Sequence, residues 1–234
     1  MEKYKMLSDG DRVAVGVSGG KDSLALLVSL VELRKFLGVD FEIIALTLDM
    51  GFHISPSINA PKTEHEEIRE LCRRLGVEYV VKQTEIAKVI FDIRKENNPC
   101  SLCSRMRRGS LADAAKELGC NKIALGHHFD DAAETTMLNL FFEGRFGCFS
   151  PVTYMSRSDM YVIRPFVMTQ EKVIKSFVKK ANLPVEGSPC PADGNTQRAA
   201  MKEYLFTFDR EHRGLYRRIV GALERGDIDG WKED

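Results

Sequence analysis

Three cysteines lie in sequence settings that suit metal chemistry. Cys100 and Cys103 form a C-x-x-C pair in NNPCSLCSRMRRG, and Cys190 follows far downstream in GSPCPADG. A C-x-x-C pair can be a redox couple, half of a zinc site or half of an iron–sulfur site. With Cys190, three thiolates suit a [4Fe–4S] cluster that has one iron without a cysteine ligand. They also suit a zinc ion whose fourth ligand is Asp193 or a histidine.

A glycine-rich turn between a predicted strand and a predicted helix is the second chemical signal. Its residues are Ser18, Gly19, Gly20, Lys21, Asp22 and Ser23. Paired glycines let backbone N–H groups approach an anion, and the N-terminus of the next helix adds unpaired donors. Asp22 suits helix capping or Mg²⁺ binding. The spacing differs from Walker and dinucleotide-binding loops, and the turn predicts a phosphate site.

A third group of polar residues, GHHFDD at 126–131, follows another predicted strand and opens a helix. A carboxylate at this edge of a sheet can hold Mg²⁺ against phosphates or act as a base. The structural alternative is that Asp130 only caps the helix. We expect Asp131 to be the functional carboxylate and the two histidines to be wall residues.

The pattern of apolar residues predicts the elements that position these groups. Strands are predicted over 12–17, 42–48, 77–82, 121–128 and 160–166, with helices between them. This alternation predicts an α/β fold with a parallel five-stranded sheet and helices on both faces. Ligands in such sheets bind beyond the carboxyl ends of the strands. Residues 1–166 are expected to form the main domain, and 167–234 a small helical C-terminal extension that contributes Cys190.

Composition and charge exclude several classes of protein. The 234 residues include 34 Lys and Arg and 34 Asp and Glu, so the chain is not a strongly basic nucleic-acid binder. No apolar run is long enough for a membrane helix, and the polar start gives no sign of a signal peptide. We therefore expect a cytoplasmic protein without disulfides. Arg105, Arg107 and Arg108 form a local basic group after the C-x-x-C pair.

These motifs together resemble one family. SGGKDS resembles the pyrophosphate-binding loop of the PP-loop ATP pyrophosphatase superfamily, whose Rossmann-like (adenine nucleotide alpha hydrolase-like) fold binds ATP. The segment at 126–131 resembles the G-H-x-x-D-D segment of its tRNA-thiolating members. PCSLCSRMRRGSL at 99–111 resembles the cluster-binding segment of the TtcA family, the tRNA 2-thiocytidine synthetases, and the related TtuA family has a comparable motif. The motif order is also that of the family, and the resemblance covers most of residues 12–200.

The resemblance implies a set of roles. It implies ATP on residues 18–23 and Gly126, Mg²⁺ assisted by Asp131, and a basic residue at Arg107 that assists catalysis. A [4Fe–4S] cluster is implied on three ligands, Cys100, Cys103 and Cys190. The implied reaction adenylates a tRNA pyrimidine carbonyl and replaces its oxygen with sulfur, most simply to give 2-thiocytidine. The implied partners are tRNA, a sulfur donor (sulfide or a cysteine desulfurase system) and a second copy of the chain in a homodimer.

Two departures from the family leave alternatives open. TtcA proteins commonly carry a late P-C-x-x-C, whereas here Cys190 is followed by Pro191, Ala192 and Asp193. The chain also lacks the paired zinc modules of TtuA, so the target base is open. The rival functions are a PP-loop enzyme that adenylates a small molecule and a non-catalytic module that binds zinc, ATP and RNA.

Overall fold

The fold is built on one six-stranded sheet, in a computed structural model that describes residues 1–95, 99–194 and 196–232. The strands are β1 (Asp11–Gly16), β2 (Phe41–Asp49), β3 (Glu78–Gln83), β4 (Lys122–Ala124), β5 (Val152–Met155) and β6 (Met160–Ile163). Their order in the sheet is β3-β2-β1-β4-β6-β5. The chain runs outward from β1 to β3 and then returns to the other side of β1 at β4. The crevice between β1 and β4 is thus the switch point where such sheets bind ligands.

The prediction of five parallel strands was wrong in one respect. The five predicted strands exist and pair in parallel, although β4 is shorter than the predicted 121–128, but β5 adds a sixth that pairs antiparallel with β6. A short turn joins the edge strand β5 to β6, and the ring centroids of Tyr154 and Tyr161 lie 5.1 Å apart across the pair. β5 has only four residues and lies beside a glycine-containing loop, so its periodicity is too brief to stand out.

Within the described residues, seven α-helices surround the sheet. They are α1 (Lys21–Leu33), α2 (Glu66–Leu75), α3 (Pro99–Glu117), α4 (Phe129–Glu143), α5 (Glu171–Ala181), α6 (Gln197–Glu211) and α7 (Leu215–Arg225). A π-helical segment, Lys88–Arg94, precedes α3. None of these helices, within the described residues, is long and apolar enough to cross a membrane.

Helices cover both faces of the sheet, as the alternation of strand residues requires. Val13 and Val15 of β1 share a buried cluster with Leu27 of α1. Ala14, which points to the opposite face, shares a second cluster with Ala115 of α3. Both faces of the sheet are therefore buried, and ligands can reach it at the carboxyl ends of its strands.

The C-terminal helices belong to the same core. Val220 and Leu223 of α7 are fully buried in the cluster that contains β1 and α1. Trp231 is also fully buried, and its indole N–H donates a hydrogen bond of 2.9 Å to the Phe149 carbonyl. α5 packs against α1, and α6 packs against α4 and α7, so side chains from α5 and α6 can reach the site.

Candidate active site

The glycine-rich turn is preformed between β1 and α1. Gly19 has φ +82°, a left-handed conformation that favours glycine. The Ser18 N–H donates to Ser23 Oγ at 3.1 Å, and the Ser23 hydroxyl donates to the Gly20 carbonyl at 2.8 Å. Gly20 is the N-cap of α1, and no side chain among the described residues caps this helix. The first-turn N–H groups are therefore left for an anion.

Gly126 brings the turn after β4 directly against this loop. A Cβ atom at Gly126 would lie 3.0 Å from both the carbonyl carbon and the carbonyl oxygen of Asp22. Such a contact is tighter than most real Cβ contacts, so glycine allows this approach without a shift of the Asp22 backbone. The sequence-predicted residues 18–23 and Gly126 are thus brought together at the ends of β1 and β4.

The two carboxylates after β4 have different partners. His128 caps α4: its Nδ1 accepts from the Asp131 N–H at 3.3 Å, and its own N–H donates to Asp131 Oδ2 at 2.9 Å. The alternative that Asp130 caps this helix was wrong, because Asp130 Oδ2 instead accepts from the Glu171 N–H at 2.8 Å. The second oxygen of Asp131, Oδ1, lies 3.9 Å from Arg198. That oxygen takes no part in the cap.

His127 is a neutral wall residue beside these carboxylates. Burial, followed by the nearby Arg164 and Arg198 charges, lowers the pKa of His127 to about 3. Its ring centroid lies 5.0 Å from that of Phe149. Arg107 also contributes to the lowered pKa. Arg107 of α3 is therefore close enough to the end of β4 to influence the same site.

The three predicted cysteines line a single pocket of about 140 Å³. Its walls come from the segment after β2, the π-helical segment, the start of α3 and the loop that carries Cys190. Arg107 lines the same pocket. Burial raises the pKa of the Cys103 thiol, which Arg107 opposes, and Cys190 and Cys100 raise it further. The thiols therefore lie within electrostatic reach of one another. A larger open groove of about 650 Å³, beside α5 and α7, contains neither cysteines nor phosphate-loop residues.

The three thiols that line the pocket are a donor set that fits an iron–sulfur cluster. In the described parts of the chain, no three His, Cys, Asp or Glu side chains are arranged to hold one metal ion. A cluster has several iron atoms, so its thiolates stand further apart than the ligands of one ion. Thiolates are the ligands that such clusters take, and Arg107 opposes the cost of ionising Cys103.

A short segment connects the pocket to the glycine-rich turn. The Glu186 N–H donates to the Gly19 carbonyl at 3.0 Å, and the Glu186 carboxylate lies 2.7 Å from Nδ1 of His65. Cys190 follows four residues later in the same loop. The loop that carries Cys190 is therefore anchored to the glycine-rich turn by a backbone hydrogen bond, which no sequence motif indicated.

Buried carboxylates near α4 form a network that the sequence analysis also missed. Glu134, one turn after Asp131, is 2% exposed, and burial together with the Asp131 charge raises its pKa to about 7. Its Oε1 has no hydrogen-bond partner in the described residues, and Oε2 lies 3.7 Å from Arg198. Glu171 at the start of α5 binds Lys21 of the turn at 3.0 Å. These contacts join residues far apart in the chain, so no local pattern reveals them.

Comparison with known proteins agrees with this arrangement. Residues 1–207 match the PP-loop domain family, and the chain therefore belongs to that family. A tRNA-cytidine(32) 2-sulfurtransferase of Ralstonia nicotianae is 36% identical over 223 residues, which is 94% of this chain and 69% of the relative. The enzyme of the same name from Geobacter sulfurreducens is also 36% identical, over 94% of this chain and 84% of its own. Within the PP-loop family, the chain thus belongs with the tRNA-cytidine(32) 2-sulfurtransferases.

A solved structure supports the same placement. It is described as the U34-tRNA thiolase NcsA from Methanococcus maripaludis with its [4Fe-4S] cluster. The two folds superpose with a TM-score of 0.77 at 25% identity, over 96% of this chain and 76% of the other. The resemblance to PP-loop tRNA thiolases predicted from the motifs is therefore confirmed.

Proposed function

We propose that this protein is an ATP-dependent tRNA sulfurtransferase that replaces the carbonyl oxygen of a tRNA pyrimidine with sulfur, giving 2-thiocytidine. One observation carries the proposal: the glycine-rich turn and the three-cysteine pocket lie at the same sheet edge, joined through Glu186 and Gly19. An adenylating site and a sulfur site must both reach the same carbonyl group of the substrate, because the first acts on its oxygen and the second on its carbon. The names of the relatives favour cytidine as the target base.

ATP is assigned to the crevice between β1 and β4. Backbone N–H groups of residues 18–23, the serine hydroxyls and Lys21 bind its phosphates, and Gly126 lets the second loop close on them. Asp131 Oδ1 is the ligand for Mg²⁺, which neutralises phosphate charge when it is bound. The other Asp131 oxygen keeps the capping bond that fixes the carboxylate.

Cys100, Cys103 and Cys190 are the proposed ligands of a [4Fe–4S] cluster. Such a cluster, when bound by three cysteines, supplies one iron that is open to a sulfur ligand. The loop held by Glu186 brings Cys190 to the other two thiols. Arg107 adds positive charge at the pocket and is proposed to donate charge-assisted hydrogen bonds to the adenylated base or its phosphate.

The first chemical step is adenylation. The carbonyl oxygen of the base attacks the α-phosphate, the bond to the bridging oxygen breaks, and pyrophosphate leaves. Lys21 and the N–H groups of the turn stabilise the charge on that leaving group. In the second step sulfur bonds to the base carbon and AMP departs with the original oxygen. Adenylation has then turned a poor leaving group into a good one.

The proposal also covers the partners, the location and the domains of the protein. The substrate is tRNA, the sulfur comes from sulfide or a cysteine desulfurase system, and the enzyme acts in the cytoplasm as a homodimer. Residues 1–166 serve as the ATP-binding domain that carries the C-x-x-C pair. Residues 167–234 serve as the helical extension that supplies Cys190.

The test is thiolation of purified tRNA that lacks the modification. Anaerobic protein, ATP, Mg²⁺ and sulfide are incubated with the tRNA, and its nucleosides are analysed by mass spectrometry. We expect 2-thiocytidine and one AMP per sulfur incorporated, and none of either with Asp131→Asn. AMP formation with a small molecule but not with tRNA would contradict the proposal in favour of a small-molecule enzyme.

A further inference from the structure

One buried carboxylate gathers lysines from three helices beside the glycine-rich turn. Glu171 is 7% exposed. Its Oε1 lies 3.0 Å from Nζ of Lys21 in α1 and 2.8 Å from Nζ of Lys202 in α6. Its Oε2 lies 3.0 Å from Nζ of Lys175, one turn further along α5. The ammonium groups of Lys21 and Lys202 share one oxygen and are therefore close neighbours.

The charges of this group remain in place at neutral pH. Burial opposes ionisation of Glu171, but hydrogen bonds from Lys202, Lys175 and Lys21 hold its pKa well below the usual range. Burial likewise opposes the charge on Lys21, yet its bonds to Asp22 and Glu171 raise its pKa. Three ammonium groups surround the one Glu171 carboxylate, so this carboxylate does not present free negative charge to an incoming anion.

The position of Glu171 is itself fixed. Its backbone N–H donates to Asp130 Oδ2 at 2.8 Å, which ties the start of α5 to the turn after β4. A lysine ammonium stands on a flexible stem and loses rotamer freedom when it binds a ligand. A carboxylate that already orders two such stems removes part of that loss.

We propose that Glu171 is a positioning residue for polyphosphate binding, which holds Lys21 and Lys202 side by side so that both ammonium groups meet the phosphates of ATP. This rests on the proposed function only in taking residues 18–23 as the ATP site. It gives Lys202, which lies in α6 and outside every sequence motif, a direct part in binding.

The experiment measures binding of the Mg²⁺ complex of α,β-methylene-ATP to the full-length protein by calorimetry. Glu171→Gln is expected to weaken this binding about tenfold, since charge-assisted bonds to two cations are lost. Glu171→Asp keeps the charge and is expected to retain more of the affinity. The matched control is Glu224→Gln, which removes a Glu–Lys pair of 2.6 Å at Lys3, away from the site. Its affinity for the analogue should equal that of the wild type.

Further readouts separate positioning from a purely structural role. Affinity for tRNA should be unchanged in Glu171→Gln. Lys202→Met should weaken analogue binding, and the double variant should lose no more than Glu171→Gln alone because the two residues act through one contact. Lys202 is partly exposed, so Lys202→Met should fold. If Glu171→Gln does not fold, analogue binding by Lys202→Met tests the proposal instead.

The outcomes are distinguishable. Unchanged analogue binding in folded Glu171→Gln, or in Lys202→Met, overturns the positioning role. Tighter binding in Glu171→Gln overturns it as well, because it would show that the carboxylate only competes with the phosphates. Failure of the wild-type protein to bind the analogue overturns the proposed ATP site instead.

Discussion

Replacing Gly126 with alanine tests the close approach of the two loops that form the crevice. The added Cβ would lie 3.0 Å from the carbonyl carbon and oxygen of Asp22, so the loops must separate by a few tenths of an ångström. Both atoms belong to the backbone and cannot rotate away. Overpacking of this kind costs about 1–3 kcal/mol. If about 1.4 kcal/mol of that cost falls on the ATP-bound state, affinity drops about tenfold.

The assay combines thermal unfolding with calorimetric binding of α,β-methylene-ATP. The melting temperature should fall by about 2–4 °C for each kcal/mol lost in a chain of this size. Gly109→Ala is the matched control: it lies inside α3, and apart from adjacent residues and the backbone of its own helix no atom lies within 4 Å of an added Cβ. It should bind the analogue normally and be slightly more stable, because alanine favours a helix. Wild-type affinity and melting temperature in Gly126→Ala would refute the reasoning.

Three further predictions follow from the site. Cys190→Ser should lose iron and sulfide yet bind ATP like the wild type, measured by metal analysis and calorimetry; full iron retention would refute the three-ligand assignment. Arg107→Met should lower the thiolation rate by a factor on the order of a hundred with ATP affinity unchanged, and an undiminished rate would exclude its role. Glu134 should make unfolding depend on pH: because its folded pKa is raised from 4.5 to about 7, its contribution to the free energy of unfolding should fall as pH rises through that interval. The difference between wild type and Glu134→Gln should change by about 1–3 kcal/mol across it, and a constant difference would contradict the buried, protonated carboxyl.

Local motifs predicted the parts of the site that depend on neighbouring residues. The glycine-rich turn and the turn after β4 were predicted correctly as strand-to-helix connections, because their glycines and helix starts leave local signals. Cys190 was grouped with the C-x-x-C pair by its Pro-Cys setting and by the family resemblance, and all three cysteines line one pocket. Their proposed roles as ligands remain predictions.

Tertiary packing decided what the sequence did not reveal. Asp130 does not cap α4, because its carboxylate accepts a hydrogen bond from the first N–H of α5, which is far away in the chain. The bond from Glu186 to Gly19 joins two loops far apart in the chain, and no periodicity reports such a contact. The edge strand β5 was missed because four residues carry too little pattern.

The central claim is that an ATP site in the crevice between β1 and β4 works with a neighbouring cluster held by three cysteines. Its most direct test is the iron, zinc and acid-labile sulfide content of protein purified without oxygen, together with the visible spectrum. We expect about four iron atoms and a comparable amount of sulfide per chain, with a broad iron–sulfur absorption. Stoichiometric zinc without sulfide would contradict the claim and make the three cysteines a structural zinc site.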